Sequence, residues 1–197
     1  DMFNAYKKIF ARLGINYRIV KADTGSMGGL LSEEFQAITD IGEDTVVFCE
    51  SCDYSSNLEV CESIIDDSET TEKKLEKDLV ETKDAKTIEE VANYLNEAES
   101  KLVKTLIYKI GDELYAVLVK GDSEVNELKL ERLFNGKTVE LASLDDLKNV
   151  NTVVGFVGPI GINIKVIMDN EVSRMVNFVV GANKKDYHYK NVNIEDF

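Results

Sequence analysis

The chain has 197 residues, 44% of them apolar, and a formal net charge of −14 at pH 7. This length accommodates one large domain, or one domain with part of a second, and the apolar content is sufficient for a core. No run of 18 apolar residues occurs, which argues against a transmembrane helix and a membrane partner. No apolar h-region follows the first residues, so we expect no signal peptide and a cytoplasmic location.

The acidic charge is unevenly spread. Residues 1–61 carry 5 basic and 10 acidic side chains, residues 62–100 carry 5 and 13, and residues 101–197 carry 13 and 14. A module that binds nucleic acid on its own usually presents a basic face. We therefore expect any nucleic acid to be bound locally, or to be delivered by another domain.

The three cysteines, Cys49, Cys52 and Cys61, lie in one short stretch. An odd number at this spacing does not indicate a disulfide framework. Cys49 and Cys52 form half of a zinc motif, and the remaining ligands of a four-ligand site are not evident. We predict no metal site and favour reduced cysteines in a surface hairpin, although metal binding by Cys49 and Cys52 stays open.

Residues 1–50 predict one helix and three strands. Apolar residues recur at helical spacing from Met2 to Leu13, and Gly14 stands where a C-cap glycine is expected. Strands are predicted at 17–21, 35–39 and 45–49. These elements are too few to bury a core alone, so we interpret residues 1–61 as part of a larger sheet domain.

An acidic linker and a second domain follow. Residues 62–86 are charged and poor in apolar side chains, which is typical of a linker. Thr87 and Glu90 match a capping box that opens a helix. The further predicted elements are a hairpin of strands 102–110 and 114–120, a helix at 126–134, a strand at 138–141, a short helix from 143, and strands at 162–168 and 178–180. Short helices alternating with strands indicate an α+β domain with a mixed sheet.

Residues 153–193 contain the only proline and the only histidine of the chain, together with clustered glycines. Glycines beside strand-like runs mark places where the backbone comes close to another backbone or to a ligand. We interpret this stretch as the wall and rim of a pocket.

The motifs in this order resemble those of bacterial-type prolyl-tRNA synthetases, from the class II catalytic core into the inserted editing domain. In the first part the similar motifs are Ala22-Asp23-Thr24-Gly25-Ser26-Met27-Gly28-Gly29, Ser32-Glu33-Glu34-Phe35 and residues 42–54. In the second part they are Thr87-Ile88-Glu89-Glu90, Val103-Lys104-Thr105-Leu106, Val119-Lys120-Gly121-Asp122, Gly155-Phe156-Val157-Gly158-Pro159, Asp169, Gly181-Ala182-Asn183 and Tyr187-His188-Tyr189.

The resemblance implies the domain organisation and the activity. It implies a partial class II catalytic segment with an antiparallel sheet at 1–61, the linker at 62–86, and at 87–197 an editing domain with a largely antiparallel, barrel-like sheet surrounded by helices. Position 33 departs from the family, which often has histidine there, and the arginine-bearing ATP motifs are absent. The chain should therefore not activate proline, but it should hydrolyse alanine mischarged onto the proline tRNA.

The resemblance also implies the partners and cofactors. We expect the alanine-charged acceptor end of proline tRNA, and the remainder of the synthetase catalytic domain, as partners. The full enzyme is expected to be a homodimer. Editing should need no cofactor, whereas ATP and Mg²⁺ would serve only the complete synthetase. The alternative is a module with the same fold that binds tRNA ends or an effector without hydrolysis.

The resemblance assigns roles to nine residues. Lys104 would hold the terminal phosphate or the ester, unless it is a solvent-facing strand lysine. Gly155, Gly158 and Pro159 would form a loop whose N–H groups face the substrate carbonyl. His188 would lie beside the alanine methyl group and set the pocket size, with general-base catalysis or a structural role as the alternatives.

Asp169 would anchor the substrate amino group or, alternatively, cap a turn. Gly181, Ala182 and Asn183 would shape the pocket floor. No serine or cysteine is paired with a histidine at a recognisable spacing, so we expect a placed water rather than a covalent nucleophile to attack the ester.

Overall fold

The computed structural model describes residues 1–22, 32–62, 64 and 71–197. The chain divides into two compact units, 1–64 and 65–197. The glycine-rich turn at 24–29, and residues 65–70 of the predicted linker, lie outside the described residues. No helix in the described ranges is long and apolar enough to cross a membrane.

The first unit contains helix α1 and a four-stranded sheet. The elements are α1 (Met2–Leu13), β1 (Tyr17–Ala22), β2 (Ser32–Ala37), β3 (Val46–Phe48) and β4 (Ser55–Asn57). The strand order is β2-β1-β4-β3, with β1 and β4 parallel and the other pairs antiparallel. Gly14 ends α1 at φ 66°, as predicted for a C-cap glycine.

The described part of the second unit contains two sheets, two α-helices and short 3₁₀ segments. Its elements are β5 (Asp78–Glu81), α2 (Ile88–Leu95), β6 (Val103–Ile110), β7 (Glu113–Lys120), α3 (Glu127–Leu133), β8 (Val139–Leu141), β9 (Lys165–Met168), β10 (Phe178–Gly181) and β11 (Tyr187–Val192). One sheet is antiparallel with the order β10-β11-β5. The other has the order β8-β6-β7-β9, in which only β7 and β9 pair parallel.

The α+β class and the largely antiparallel pairing are confirmed. The described strands form open sheets rather than the barrel-like sheet that we predicted. Residues 78–81, inside the segment that we predicted as a linker, form β5 and pair with β11. Charged residues suit this position because β5 is an edge strand, and most of its side chains are exposed.

Local sequence signals explain where the helices of the second unit begin. Thr87 accepts a hydrogen bond from the Glu90 N–H at 3.2 Å, and the Glu90 carboxylate accepts one from the Thr87 N–H at 3.0 Å, so the predicted capping box is confirmed. Asn126 caps α3 through the N–H of Lys129. These bonds satisfy main-chain donors that a helix start leaves unpaired.

Three buried clusters hold the second unit together. One lies between the two sheets and includes Val103, Leu118, Phe178 and Val180. A second packs under α3, and a third packs under α2 around Val91, Leu102 and Val179. Leu102 and Val179 also form an isolated bridge that joins β6 to β10. The two sheets thus meet just before β6 begins.

Candidate functional site

A cavity of about 630 Å³ opens beside β6 in the second unit. At one end of β6, Leu102 forms the bridge to Val179, and pairing with β8 begins only at Tyr108. The edge of β6 between these points is therefore open to the cavity. The other lining residues come from the start of α2, the end of β8 and the segment after it, the glycine loop (residues 155–161) with Val154 before it, β10 and β11.

The cavity wall is mainly apolar. Apolar side chains line it from α2, β6, β10, the segment after β8 and the region of the glycine loop. Among them are Ile88, Val91, Leu106, Leu144, Leu147, Val154, Phe156 and Val180. The polar lining residues are Lys86, Thr87, Lys104, Thr105, Ser143 and His188. An apolar cavity with a few convergent polar groups is typical of a small-molecule site.

Lys104 lines the cavity and is only 19% exposed in its side chain. Its Nζ lies 2.7 Å from Oε1 of Glu124, a carboxylate that is 85% exposed in the loop before α3. Along β6 the half-buried Lys104 alternates with the buried Val103 and Thr105, as the strand pattern predicts. A substrate anion would have to compete with Glu124 for this ammonium group.

His188 lies in β11 and is 7% exposed. Its Nδ1 shares a 2.6 Å hydrogen bond with Oγ1 of Thr82, and its ring packs edge-on against Phe156. Burial disfavours the imidazolium and lowers the pKa of His188 to about 4. The imidazole is therefore neutral near pH 7, which suits a shape-determining wall residue and makes it a weak base.

The glycine loop, residues 155–161, borders the cavity through its first residues. Gly155 lines the cavity at φ +87°, where a side chain would be strained although a Cβ would have room. Gly158 instead packs against β10, where an added Cβ would lie 1.7 Å from the carbonyl oxygen of Gly181. An added Cβ at Gly181 would lie 2.3 Å from the carbonyl oxygen of Val157. The predicted close approach of backbones is therefore present at this pair of glycines.

Asn183 connects the glycine loop to the turn after β10. Its Oδ1 accepts hydrogen bonds from Gly158 N–H and Thr152 Oγ1, and its Nδ2 donates to the carbonyl oxygens of Gly158 and Ile160. All four hydrogen-bonding positions of the amide are thus filled. Asn183 does not line the cavity and acts by holding the loop that does.

The cavity brings together Lys104, Gly155, Gly181 and His188, but five of the residues predicted for the site lie outside its lining. Gly158 and Pro159 are buried in the loop, and Ala182 bonds through its N–H to Tyr187 O. Exposed Asp169 accepts a hydrogen bond from Glu171 N–H at 2.8 Å, in the turn that precedes the 3₁₀ segment at 172–174. Its hydrogen bonds are those of the turn-capping alternative.

Sequence reasoning missed three polar or aromatic contributors. Thr82, which bonds to His188, lies in the segment that we predicted as a linker. Phe156 and Thr105 lie within the motifs around Gly155 and Lys104, but the sequence assigns no role to either residue. The alternation of β6 could have indicated Thr105, because it shares a buried face with Val103 and Ile107.

The lining residues contain no paired nucleophile and base. They include no cysteine and no carboxylate. The Thr87 hydroxyl caps α2, and the Ser143 hydroxyl bonds to Asp146. The site therefore suits attack by water on an activated carbonyl rather than a covalent route.

The model of the family described as the aminoacyl-tRNA editing domain matches residues 82–196. This range contains all of the lining residues of the cavity. The chain is also similar to two curated proline–tRNA ligases. That of Caldicellulosiruptor bescii is 48% identical over 197 residues, with 100% of this chain and 34% of the relative covered.

Proline–tRNA ligase 1 of Bacillus thuringiensis subsp. konkukian is 41% identical, with 98% of this chain and 35% of the relative covered. The chain thus spans about a third of the length of these relatives. Among solved structures, a crystal structure of a proposed trans-editing enzyme for prolyl tRNA synthetase matches with a TM-score of 0.54 and 19% identity. That match covers 60% of this chain and 77% of the other, and it shows the fold.

Proposed function

Because the chain belongs to the aminoacyl-tRNA editing domain family, we propose that its cavity hydrolyses the ester of alanine mischarged onto proline tRNA. The observation that carries the proposal is the convergence of Lys104, Gly155 and His188 on one largely apolar cavity inside the matched range. The similarity to proline–tRNA ligases supports proline tRNA as the carrier. In this proposal the chain is one part of a longer prolyl-tRNA synthetase.

The chemical demands of the reaction agree with the site. An aminoacyl ester is activated, so it requires a placed water, a stabilised oxyanion and a pocket of the right size rather than a nucleophilic side chain. Lys104 supplies the cation that we assign to the terminal phosphate or the ester. The buried, neutral His188 and the ring of Phe156 form a rigid wall that limits the size of the aminoacyl side chain.

The proposal also concerns the partners of the chain and its location. We assign the acceptor end of the charged tRNA and the remainder of the synthetase as partners, with a homodimeric full enzyme in the cytoplasm. With 13 basic and 14 acidic side chains in residues 101–197, the chain alone should bind tRNA weakly. Tethering within the whole synthetase would raise the local concentration of the substrate.

The test is to incubate the chain with proline tRNA charged with alanine and, separately, with proline. Selective release of alanine is the expected result. Release of neither amino acid, with retained binding of the charged tRNA, would favour the non-hydrolytic module instead. Equal release of both amino acids would contradict the assigned size selection.

A further inference from the structure

Thr105 carries a buried hydroxyl group that lacks a partner. The residue lines the cavity and is 8% exposed, yet its Oγ1 has no hydrogen-bond partner in the described part of the chain. An unsatisfied buried polar atom is costly, and in native proteins it often marks a place where a ligand or water binds. The other buried threonine of this region, Thr82, is bonded to His188.

The backbone of Thr105 points toward the same open edge. Leu102 O accepts from Gly121 N–H on the β7 side, whereas Ile107 O accepts from Ala142 N–H on the opposite side. Backbone polar groups of a strand alternate between its two edges. Thr105 is two residues from Ile107, so its N–H and C=O point in the same direction as those of Ile107, away from β7. At Thr105 this edge of β6 is open, because pairing with β8 begins only at Tyr108.

An aminoacyl ester brings an α-ammonium group that needs acceptors. No carboxylate is among the described residues that line the cavity, so uncharged groups must accept its hydrogen bonds. The hydroxyls of Thr87 and Ser143 are already engaged, and His188 Nδ1 is shared with Thr82. Asp169 lies outside the lining, in its own turn. Among the lining hydroxyls of the described residues, that of Thr105 is left without a partner.

We propose that Thr105 recognises the α-ammonium group of the aminoacyl substrate through its hydroxyl oxygen and its backbone carbonyl oxygen. This inference rests on the proposed function for the identity of the ligand. It assigns to Thr105 the role that the sequence suggested for Asp169.

The test measures binding without hydrolysis. The 197-residue chain is titrated with two stable amide analogues of the tRNA end, 3′-alanylamino-3′-deoxyadenosine and its propionyl counterpart, which lacks the ammonium group. Thr105→Val should weaken binding of the alanyl analogue about tenfold, the value of one hydrogen bond to a charged group. Its affinity for the propionyl analogue should stay within about twofold of the wild-type value.

Two further variants control the experiment. Thr105→Ser retains the hydroxyl and should keep the wild-type affinity for the alanyl analogue within about threefold. Thr105→Val should not lower Tm, because it removes an unsatisfied polar group. If the valine variant does not fold, Thr105→Ala replaces it in the same comparison with serine.

The outcomes separate this inference from the proposed function. Unchanged alanyl binding in the hydroxyl-free variant, or equal weakening of both analogues, would overturn the role of Thr105. Failure of the wild-type protein to release alanine from charged tRNA would overturn hydrolysis, while the analogue titrations would still report on ammonium recognition.

Discussion

Asn183 holds Gly158 by both of its backbone polar groups. Asn183 Oδ1 accepts from Gly158 N–H at 3.0 Å, and Asn183 Nδ2 donates to Gly158 O at 2.8 Å. A side chain that does not line the cavity thereby determines where the glycine loop lies. The relationship explains why an asparagine, with two donors and an acceptor, stands at this position.

Asn183→Asp should displace the loop and lower both stability and deacylation. Aspartate keeps the size and tolerates the φ of +52°, but a carboxylate repels the carbonyl oxygens of Gly158 and Ile160 instead of donating to them. We expect a loss of about 3 kcal/mol in the free energy of unfolding, measured in urea. Asn135→Asp is the matched control, because Asn135 is exposed and also has a positive φ of 57°. Equal effects of the two variants would contradict the conclusion that the Asn183 amide holds the glycine loop in place.

Gly158→Ala should be strongly destabilising. The new Cβ would lie 1.7 Å from Gly181 O, so the loop and β10 would have to separate. Overpacking against the backbone predicts a cost of about 3 kcal/mol or more. Gly42→Ala serves as the control because its Cβ would meet nothing closer than 3.9 Å. A thermal melt showing similar Tm values for both variants would mean that the backbones are farther apart than described.

His188 should titrate with a pKa near 4 because burial disfavours its charged form. It is the only histidine, so its ring signals in an NMR titration are unambiguous. The deacylation rate should accordingly show no histidine titration between about pH 6 and pH 8. A midpoint close to 6.5 would show that the ring is hydrated and would reopen its use as a base.

The lowered pKa of His188 also makes the stability of the fold depend on pH. The folded pKa is below the unfolded value of 6.5, so between pH 6.5 and pH 4 the unfolded protein binds more protons than the folded one. The stability that neutral His188 contributes is fully present above pH 6.5 and is lost as the pH falls toward 4. The free energy of unfolding should fall by at most about 3 kcal/mol over this range. His188→Phe should remove this part of the pH dependence, as followed by urea unfolding at several pH values.

Lys104→Ala should reduce alanine release by more than about 100-fold, if the ammonium group acts on the ester or the adjacent phosphate. The fold should change little, because an ion pair with so exposed a carboxylate as Glu124 contributes at most about 1 kcal/mol. Lys104→Met keeps the packing of the aliphatic stem and should show the same loss. Full activity of the methionine variant would remove Lys104 from the site.

Glu124→Gln changes the other partner of the Lys104–Glu124 ion pair. It removes the carboxylate that competes for Lys104 and leaves the ammonium group in place. We therefore expect KM for charged tRNA to fall rather than rise. An increase in KM would indicate that Glu124 positions Lys104 instead of competing with the substrate.

Local signals in the sequence determined much of this protein. The helical spacing of Met2–Leu13, the capping box of Thr87 and Glu90, and the hairpin around Gly111 specify their elements through contacts between near neighbours. The order of the motifs also indicated the family, and the glycine clusters indicated where backbones meet.

Tertiary structure alone decided which residues share the cavity. Residues 62–86 are charged as a linker is, but pairing of residues 78–81 with β11, more than 100 residues away, makes these four residues a strand and brings Thr82 to His188. Whether a polar side chain is satisfied depends on such distant partners, which local spacing does not encode. For that reason Asn183 belongs to the loop and the unpaired hydroxyl of Thr105 to the cavity, whereas Asp169 bonds locally, to the N–H of Glu171 in its own turn.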